Sequence, residues 1–309
     1  YLTSPDYLGG MQDIAALARV CDAHGVPLLV DNAHGAYLNF LVGGSRHPIA
    51  LGAAMCCDSG HKTLPVLTGG AYLHLGPKAP VQEETAVRNA LALFGSTSPS
   101  YLILQSLDRC NRYLSEGYPL RLYSCCGQLT RMRRVLNEQA AAAGCPFPLA
   151  VDDPAREPLK LTLDAAALGM TGTALAEALR QERIECEYAD PRYVVLMFTP
   201  ENPAQDYERL AAAVARLCAA LPSAPVLPEP EADVFTELAA EAAPVCTVRQ
   251  AVFAPQEVVP AETALGRICA MPTVSCPPAI PIVVSGERIG PAALKLFARY
   301  GIKNVAVLK

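Results

Sequence analysis

An α/β protein is what this sequence predicts: a mostly parallel sheet with helices on both faces, followed by a smaller α/β domain and a C-terminal region. Three observations carry that reading. Helical periodicity alternates with short continuous apolar runs near the start, as in sheets buried on both faces. The pattern changes style near residue 150. A proline-rich acidic stretch, LPSAPVLPEPEAD at 221–233, then interrupts the chain. The expected layout is a large domain over 1–148, a small α/β domain over 149–221, a linker over 222–233 and a C-terminal domain over 234–309.

The elements follow in order. Met11, Ile14, Leu17, Ala18 and Cys21 recur at helical spacing, and Gly25 is suited to close that helix. VPLLVD is a strand-length apolar run ending on Asp31. AAMCCD is a second, ending just before Ser59, and AYLHL at 71–75 is a third. Residues 99–144 read as helical, closed by Gly144-Cys145-Pro146. Beyond 150, LKLTLDAA, IECEYAD and YVVLMFT read as strands, and Gly172–Arg183 and Ala204–Ala220 as helices. The last region, of about eighty residues, carries Pro272, Pro277, Pro278 and Pro281, which favour turns and extended chain.

Composition narrows the function classes. The 309 residues are 51% hydrophobic and 18% charged with a net charge of −5, which lacks the basic footprint of a nucleic-acid binder. None of the 12 cysteines is spaced C-x-x-C, so neither a zinc site nor a secreted disulfide framework is expected. Reduced thiols in a cytoplasmic protein fit better. No signal peptide is expected ahead of the fold, and no apolar run in the sequence is long enough to span a bilayer. TSPDYLGG reads as a strand end entering a turn, so the chain is expected to be part of something longer.

The chemistry concentrates around CDSGHKTLP. Lys62 stands there in small or apolar surroundings, and Asp31 lies at the carboxyl end of the preceding strand, where α/β sheets place ligands. Ser59-Gly60-His61-Lys62 matches S-x-x-K, but the S-D-N and K-T-G elements of serine acyl-enzymes are absent. A Ser59, His61, Asp31 triad stays open, although no G-x-S-x-G elbow presents the serine. An aldehyde cofactor requires an amine to condense with, a carboxylate beside its ring nitrogen and donors for its phosphate. Asp31, His34, Ser59, His61 and Lys62 offer these in order. Taken singly, each has a plainer reading: a turn residue, a structural histidine, a surface lysine.

VDNAHGAYLNF followed by DSGHKTLPVLTGGAYLH resembles the Orn/Lys/Arg decarboxylase family of fold-type-I pyridoxal-phosphate enzymes, whose members carry V-D-E-A-H-G and S-x-H-K-T-L-P-x-L-T. The likeness continues through FGSTSPSYLILQSLD, EPLKLTLDAAALGMTG and GRICAMPTVSCPPAIPIVVSGERI, which together cover nearly the whole chain. The resemblance implies a fold-type-I large domain lacking its N-terminal part. It implies pyridoxal 5'-phosphate carried on Lys62, with Asp31 at the ring nitrogen, His34 near the ring oxygen, and Ser59 and His61 near the phosphate. Lys62 and His61 would move protons. Ser96 and Thr97 would reach the phosphate of a neighbouring subunit in a homo-oligomer, at least a dimer. The substrate would be arginine, lysine or ornithine, with no nucleic acid or membrane partner. Asn32 stands where glutamate is usual, Gly69-Gly70 where Gln-Thr is frequent, and Ala279 where a glycine is usual. Competing expectations are an aminotransferase or acyl-transferring relative, and a non-catalytic binding or scaffold protein. Glu237, Glu241, Glu257 and Glu262 could include a group recognising a cationic side chain, but solvated acids are the simpler reading.

Overall fold

The computed structural model describes residues 1–81, 83–221, 234–276 and 280–309. The expected linker at 222–233, with Pro277, Pro278 and Ala279, lies outside the described residues. The chain forms two compact units, Tyr1–Leu227 and Pro228–Lys309.

The first unit begins with β1 (Leu2–Thr3), α1 (Ile14–Ala23), β2 (Leu29–Asp31), β3 (Met55–Ser59), the single helical turn α2 (Gly60–Thr63) and β4 (Ala71–Leu75). Asp13 caps α1 by accepting the Ala16 N–H, and Gly25 follows the helix at φ +66°, a left-handed conformation that glycine adopts without strain. Ile14 and Ala18 on the buried face of α1 pack against Leu28, Val30, Ala53 and Cys56.

The sheet order is β1-β2-β3-β4. β1 with β2 and β2 with β3 are parallel, whereas β4 returns antiparallel to β3. Only residues 60–70 separate β3 from β4, too short a link for the crossover that parallel pairing needs. The sheet is therefore mixed, its parallel part ending at β3.

Next come α3 (Glu84–Phe94), α4 (Tyr101–Ser115) and α5 (Tyr118–Ala142). The sequence alone suggests one helical stretch over 99–144; the structure breaks it at Gly117, which takes φ +77°, and Pro119 restarts the chain in the first turn of α5. α3, which the periodicity did not bring out, buries none of its described residues.

A three-stranded antiparallel sheet follows, ordered β5-β7-β6, from β5 (Lys160–Asp164), β6 (Tyr188–Ala189) and β7 (Tyr193–Met197). α6 (Gly172–Gln181) and α7 (Ala204–Ala219) accompany it. Leu122, Leu129 and Leu136 from α5 share one core with Leu161 and Leu163 of β5 and with Leu210 and Val214 of α7. That core spans residues on both sides of position 148, whereas Val30 and Cys56 of the first sheet pack in a separate cluster with Ile14 and Ala18.

The second unit contains α8 (Val234–Glu241), α9 (Val248–Phe253), β8 (Gln256–Pro260), β9 (Thr273–Cys276), β10 (Ile280–Val284), α10 (Pro291–Arg299) and β11 (Asn304–Leu308). β9 pairs with β10 and β8 with β11, both antiparallel. Ile289, Ala293, Leu296 and Phe297 pack with Val305 and Val307 in its core. Thr247 and Gln250 close a capping box on α9.

Candidate active site

The turn that follows β1 reaches the end of the neighbouring strands because β5 grips it. Lys160 Nζ donates to the Asp6 carbonyl at 2.7 Å, Thr162 Oγ1 to the Leu8 carbonyl at 2.7 Å, and Arg156 Nη1 to the same Leu8 carbonyl at 2.7 Å. The Glu157 N–H donates to the Gly9 carbonyl at 2.9 Å. Gly9 sits at φ +93°, and the turn depends on that freedom. These bonds hold the Tyr7 ring edge-on to His34, with centroids 4.6 Å apart.

β2 and β3 deliver the other groups. Asp31 ends β2, where its Oδ1 accepts the Ala33 N–H at 3.1 Å and its Oδ2 accepts the Tyr1 hydroxyl at 3.1 Å. Lys62 lies in α2, directly after β3, and its Nζ is 3.2 Å from His34 Nε2. Burial, reinforced by Lys160, Lys62 and His61, pushes the His34 pKa down to about 3, so its ring is neutral at physiological pH. With Lys62 donating to Nε2, the His34 proton resides on Nδ1. That Nδ1 is buried and has no hydrogen-bond partner among the described residues. A buried N–H without an acceptor is costly, and it marks where a polar group is wanted.

Lys160 is a second buried cation here. Its Nζ lies 5.4 Å from the Tyr7 ring centroid, and Lys62 Nζ lies 5.8 Å from it. Burial lowers the Lys160 pKa to about 8, against the opposing pull of Glu157 and Asp6. Glu157, itself buried, accepts from the Tyr37 hydroxyl and, at 3.0 Å, from the Leu159 N–H. His61 Nδ1 is 3.1 Å from the Gly70 carbonyl; a carbonyl only accepts, so the proton is on Nδ1 and Nε2 is left for other work. Ser59 closes β3 opposite Ala71 and does not cap α2.

The structure thus brings Lys62 and His34 into direct contact, with Tyr7 and Lys160 around them. Ser96 and Thr97 lie instead on the exposed link between α3 and α4, where Ser96 Oγ accepts the Ser98 N–H. Sequence reasoning missed Tyr7 and Lys160. The available signal for Lys160 was a lysine opening a strand whose five residues are all buried.

Asp58, the acid nearest Lys62 in sequence, belongs to a different cluster. It is buried, with Oδ1 accepting Asn32 Nδ2 at 2.7 Å and Oδ2 facing His47 Nε2 at 3.0 Å and His74 Nε2 at 2.9 Å. Those hydrogen bonds outweigh burial and hold its carboxyl well below the usual carboxylate range. The three ligand atoms are close enough for a metal ion. The tautomer argues otherwise: His47 Nδ1 accepts the Ile49 N–H, so its Nε2 carries the proton that it offers to Asp58.

In the second unit, Glu237 pairs with Lys295 at 2.7 Å, Glu241 accepts the Ala292 N–H at 2.9 Å, and Glu257 pairs with Arg267 at 2.6 Å. These acids already have structural work.

The comparisons with known proteins establish the family. The family description "Orn/Lys/Arg decarboxylase, major domain" matches residues 1–206, and "Orn/Lys/Arg decarboxylase, C-terminal domain" matches residues 231–300. The chain belongs to the Orn/Lys/Arg decarboxylase family, a group of pyridoxal-phosphate enzymes. It is similar to "Uncharacterized protein YaaO" of Bacillus subtilis, 29% identical over 96% of this chain and 61% of that protein. It is also similar to the arginine decarboxylase of Bacillus subtilis, 29% identical over 93% of this chain and 58% of that one. Among solved structures, lysine decarboxylase A from Pseudomonas aeruginosa superposes with a TM-score of 0.74 at 18% identity, over 97% of this chain and 52% of that one. The fold is the fold-type-I α/β architecture of these enzymes. The chain spans about three fifths of the length of the curated relatives it matches.

The residues present fit the family's cofactor. The Lys62 amine and the Asp31 carboxylate at a strand end are groups that a pyridine aldehyde requires, and the buried His34 Nδ1 has no partner among the described residues.

Proposed function

We propose that the protein catalyses pyridoxal-phosphate-dependent decarboxylation of a basic amino acid, arginine, lysine or ornithine, to the corresponding amine and carbon dioxide. The observation that carries this reading is the Lys62 amine lying 3.2 Å from a neutral, buried His34. When bound, the cofactor supplies the aldehyde that takes up an amine and the ring that accepts electrons from the reacting carbon.

In this reading Lys62 would hold the cofactor, and Asp31 would keep a positive charge on the ring nitrogen by fixed electrostatics. His34 Nδ1–H would donate a hydrogen bond to an oxygen on the ring. Ser59 and His61 serve the phosphate, and Lys62 or His61 returns a proton to the substrate carbon. Lys160 adds positive charge beside Lys62, which suits anionic groups of cofactor or substrate. Tyr7 and the clamped Asp6–Gly10 turn narrow the access of water to the amine.

The working form is proposed to be a cytoplasmic homo-oligomer, at least a dimer with shared sites. Leu93, Phe94, Tyr101 and Leu102 flank Ser96 and Thr97 and are exposed, an apolar surface of the kind that a second subunit covers. The assay is release of carbon dioxide from arginine, lysine and ornithine by the full-length protein with added cofactor. Amine plus carbon dioxide is the expected outcome. A keto acid as product would assign an aminotransferase instead, and a protein that takes up no cofactor would be a binding or scaffold protein.

A further inference from the structure

We infer that Asp58 and Asn32 form a positioning pair: Asp58, anchored by two histidines, fixes the Asn32 side chain and through it the Asp31–His34 turn that faces Lys62. The inference rests on the cofactor-binding reading above. Asp58 and Asp31 belong to opposite faces of the sheet. In β3, Cys56 and Asp58 alternate with Cys57 and Ser59, and Asp31 is in register with Cys57. Asp58 therefore cannot meet the cofactor's side of the sheet and must act through a neighbour.

Asn32 is that neighbour. It is completely buried, and its Nδ2 donates to Asp58 Oδ1 at 2.7 Å. Its backbone is pinned as well, by its N–H to the Cys57 carbonyl at 2.9 Å and by its carbonyl accepting the Gly35 N–H at 2.8 Å. Its side chain occupies the space where a Cβ on Gly35 would fall, 2.0 Å from Asn32 Oδ1. The turn carrying Asp31 and His34 is thus wedged from inside by one amide, whose Nδ2 is held by Asp58 and whose Oδ1 has no hydrogen-bond partner among the described residues. His47 and His74 in turn hold Asp58 from a loop and from β4, so three chain segments converge on one carboxylate. Buried networks of this kind are sensitive to charge reversal within a pair because no water relieves the mismatch.

The test is a mutant cycle read as cofactor affinity, by the absorbance of the lysine-bound cofactor, well below each variant's melting temperature. Asn32→Asp sets two carboxylates against each other and should weaken cofactor binding about 10-fold or more. Asn32→Asp combined with Asp58→Asn restores a donor–acceptor pair of the same shape and should return affinity to within about 3-fold of the parent. Asn32→Ala removes the tie without adding charge, and it too should weaken binding about 10-fold. If Asn32→Asp does not fold, Asn32→Ala decides. Unchanged affinity in Asn32→Ala or Asn32→Asp would overturn the proposal. So would a double variant that regains thermal stability without regaining affinity. A parent protein that binds no cofactor would instead defeat the decarboxylase reading itself.

Discussion

The two faces of the four-stranded sheet treat polar side chains in opposite ways. On one face Asp58 is enclosed and its two oxygens are met by Asn32, His47 and His74. On the other, Asp31 is half-buried and meets the hydroxyl of the exposed Tyr1, while His34, in the turn just beyond it, keeps a buried ring nitrogen without a partner. A closed network of hydrogen bonds stabilises a fold. On the open face a neutral imidazole lies beside an amine, the pairing that the proposed function uses. Both regions contain histidines and an aspartate, and both keep a buried polar atom without a partner among the described residues, Asn32 Oδ1 on the first and His34 Nδ1 on the second; what separates them is an enclosed carboxylate on one and an amine beside an imidazole on the other.

The largest expected effect tests the open face. Lys62→Ala should reduce decarboxylation by about 10³-fold or more and abolish the borohydride-reducible link to cofactor, while leaving the melting temperature almost unchanged. Activity retained in that variant would remove Lys62 from the mechanism. On the closed face the weight shifts to stability. Asp58→Ala leaves Asn32 and His47 unpaired in the interior and the half-exposed His74 beside them, and should cost about 3 kcal/mol in denaturant unfolding. A loss below about 1 kcal/mol would mean the cluster is more hydrated than its burial implies.

Acid provides a third comparison. The His34 pKa is depressed in the folded chain from 6.5 to about 3, so the unfolded chain binds the extra proton first. Its contribution to stability is fully present above pH 6.5 and is lost as pH falls towards 3, by about 3 kcal/mol or less. Unfolding free energies measured across that window should fall less steeply in His34→Gln than in the parent. Equal slopes would show that His34 is better hydrated than the structure indicates. The smallest effect concerns Tyr7. Tyr7→Phe keeps the ring against His34 and loses only the 2.9 Å bond from its hydroxyl to Glu187 Oε1, so it should cost about 1 kcal/mol or less and spare activity. Tyr7→Ala, which uncovers His34, should impair cofactor binding more than Tyr7→Phe.

Much of the open face is legible in the sequence. The run VPLLVD ends on Asp31, and S-x-H-K sets Lys62 one helical turn past the next strand, because strand-end positions follow from apolar run length alone. The closed face is not legible. Asp58 stands four residues from Lys62 and invites a pairing with it, yet the alternation of β3 sends it to the far side, and His47 arrives from an irregular loop whose course no periodicity encodes. Lys160 was hidden for the same reason: it is distant in sequence, and only the grip of β5 on the Asp6–Gly10 turn brings it near Lys62.

Local patterns in the chain were enough to establish the α/β class, most strands and helices, and the order of the amine and carboxylate, since each depends on neighbours a few residues away. Which side of the sheet each acid occupies, that β4 turns back antiparallel, and which histidine touches the lysine were decided by three-dimensional packing. Those outcomes depend on burial and hydrogen bonding between segments far apart in the chain, and short-range propensity carries no record of them.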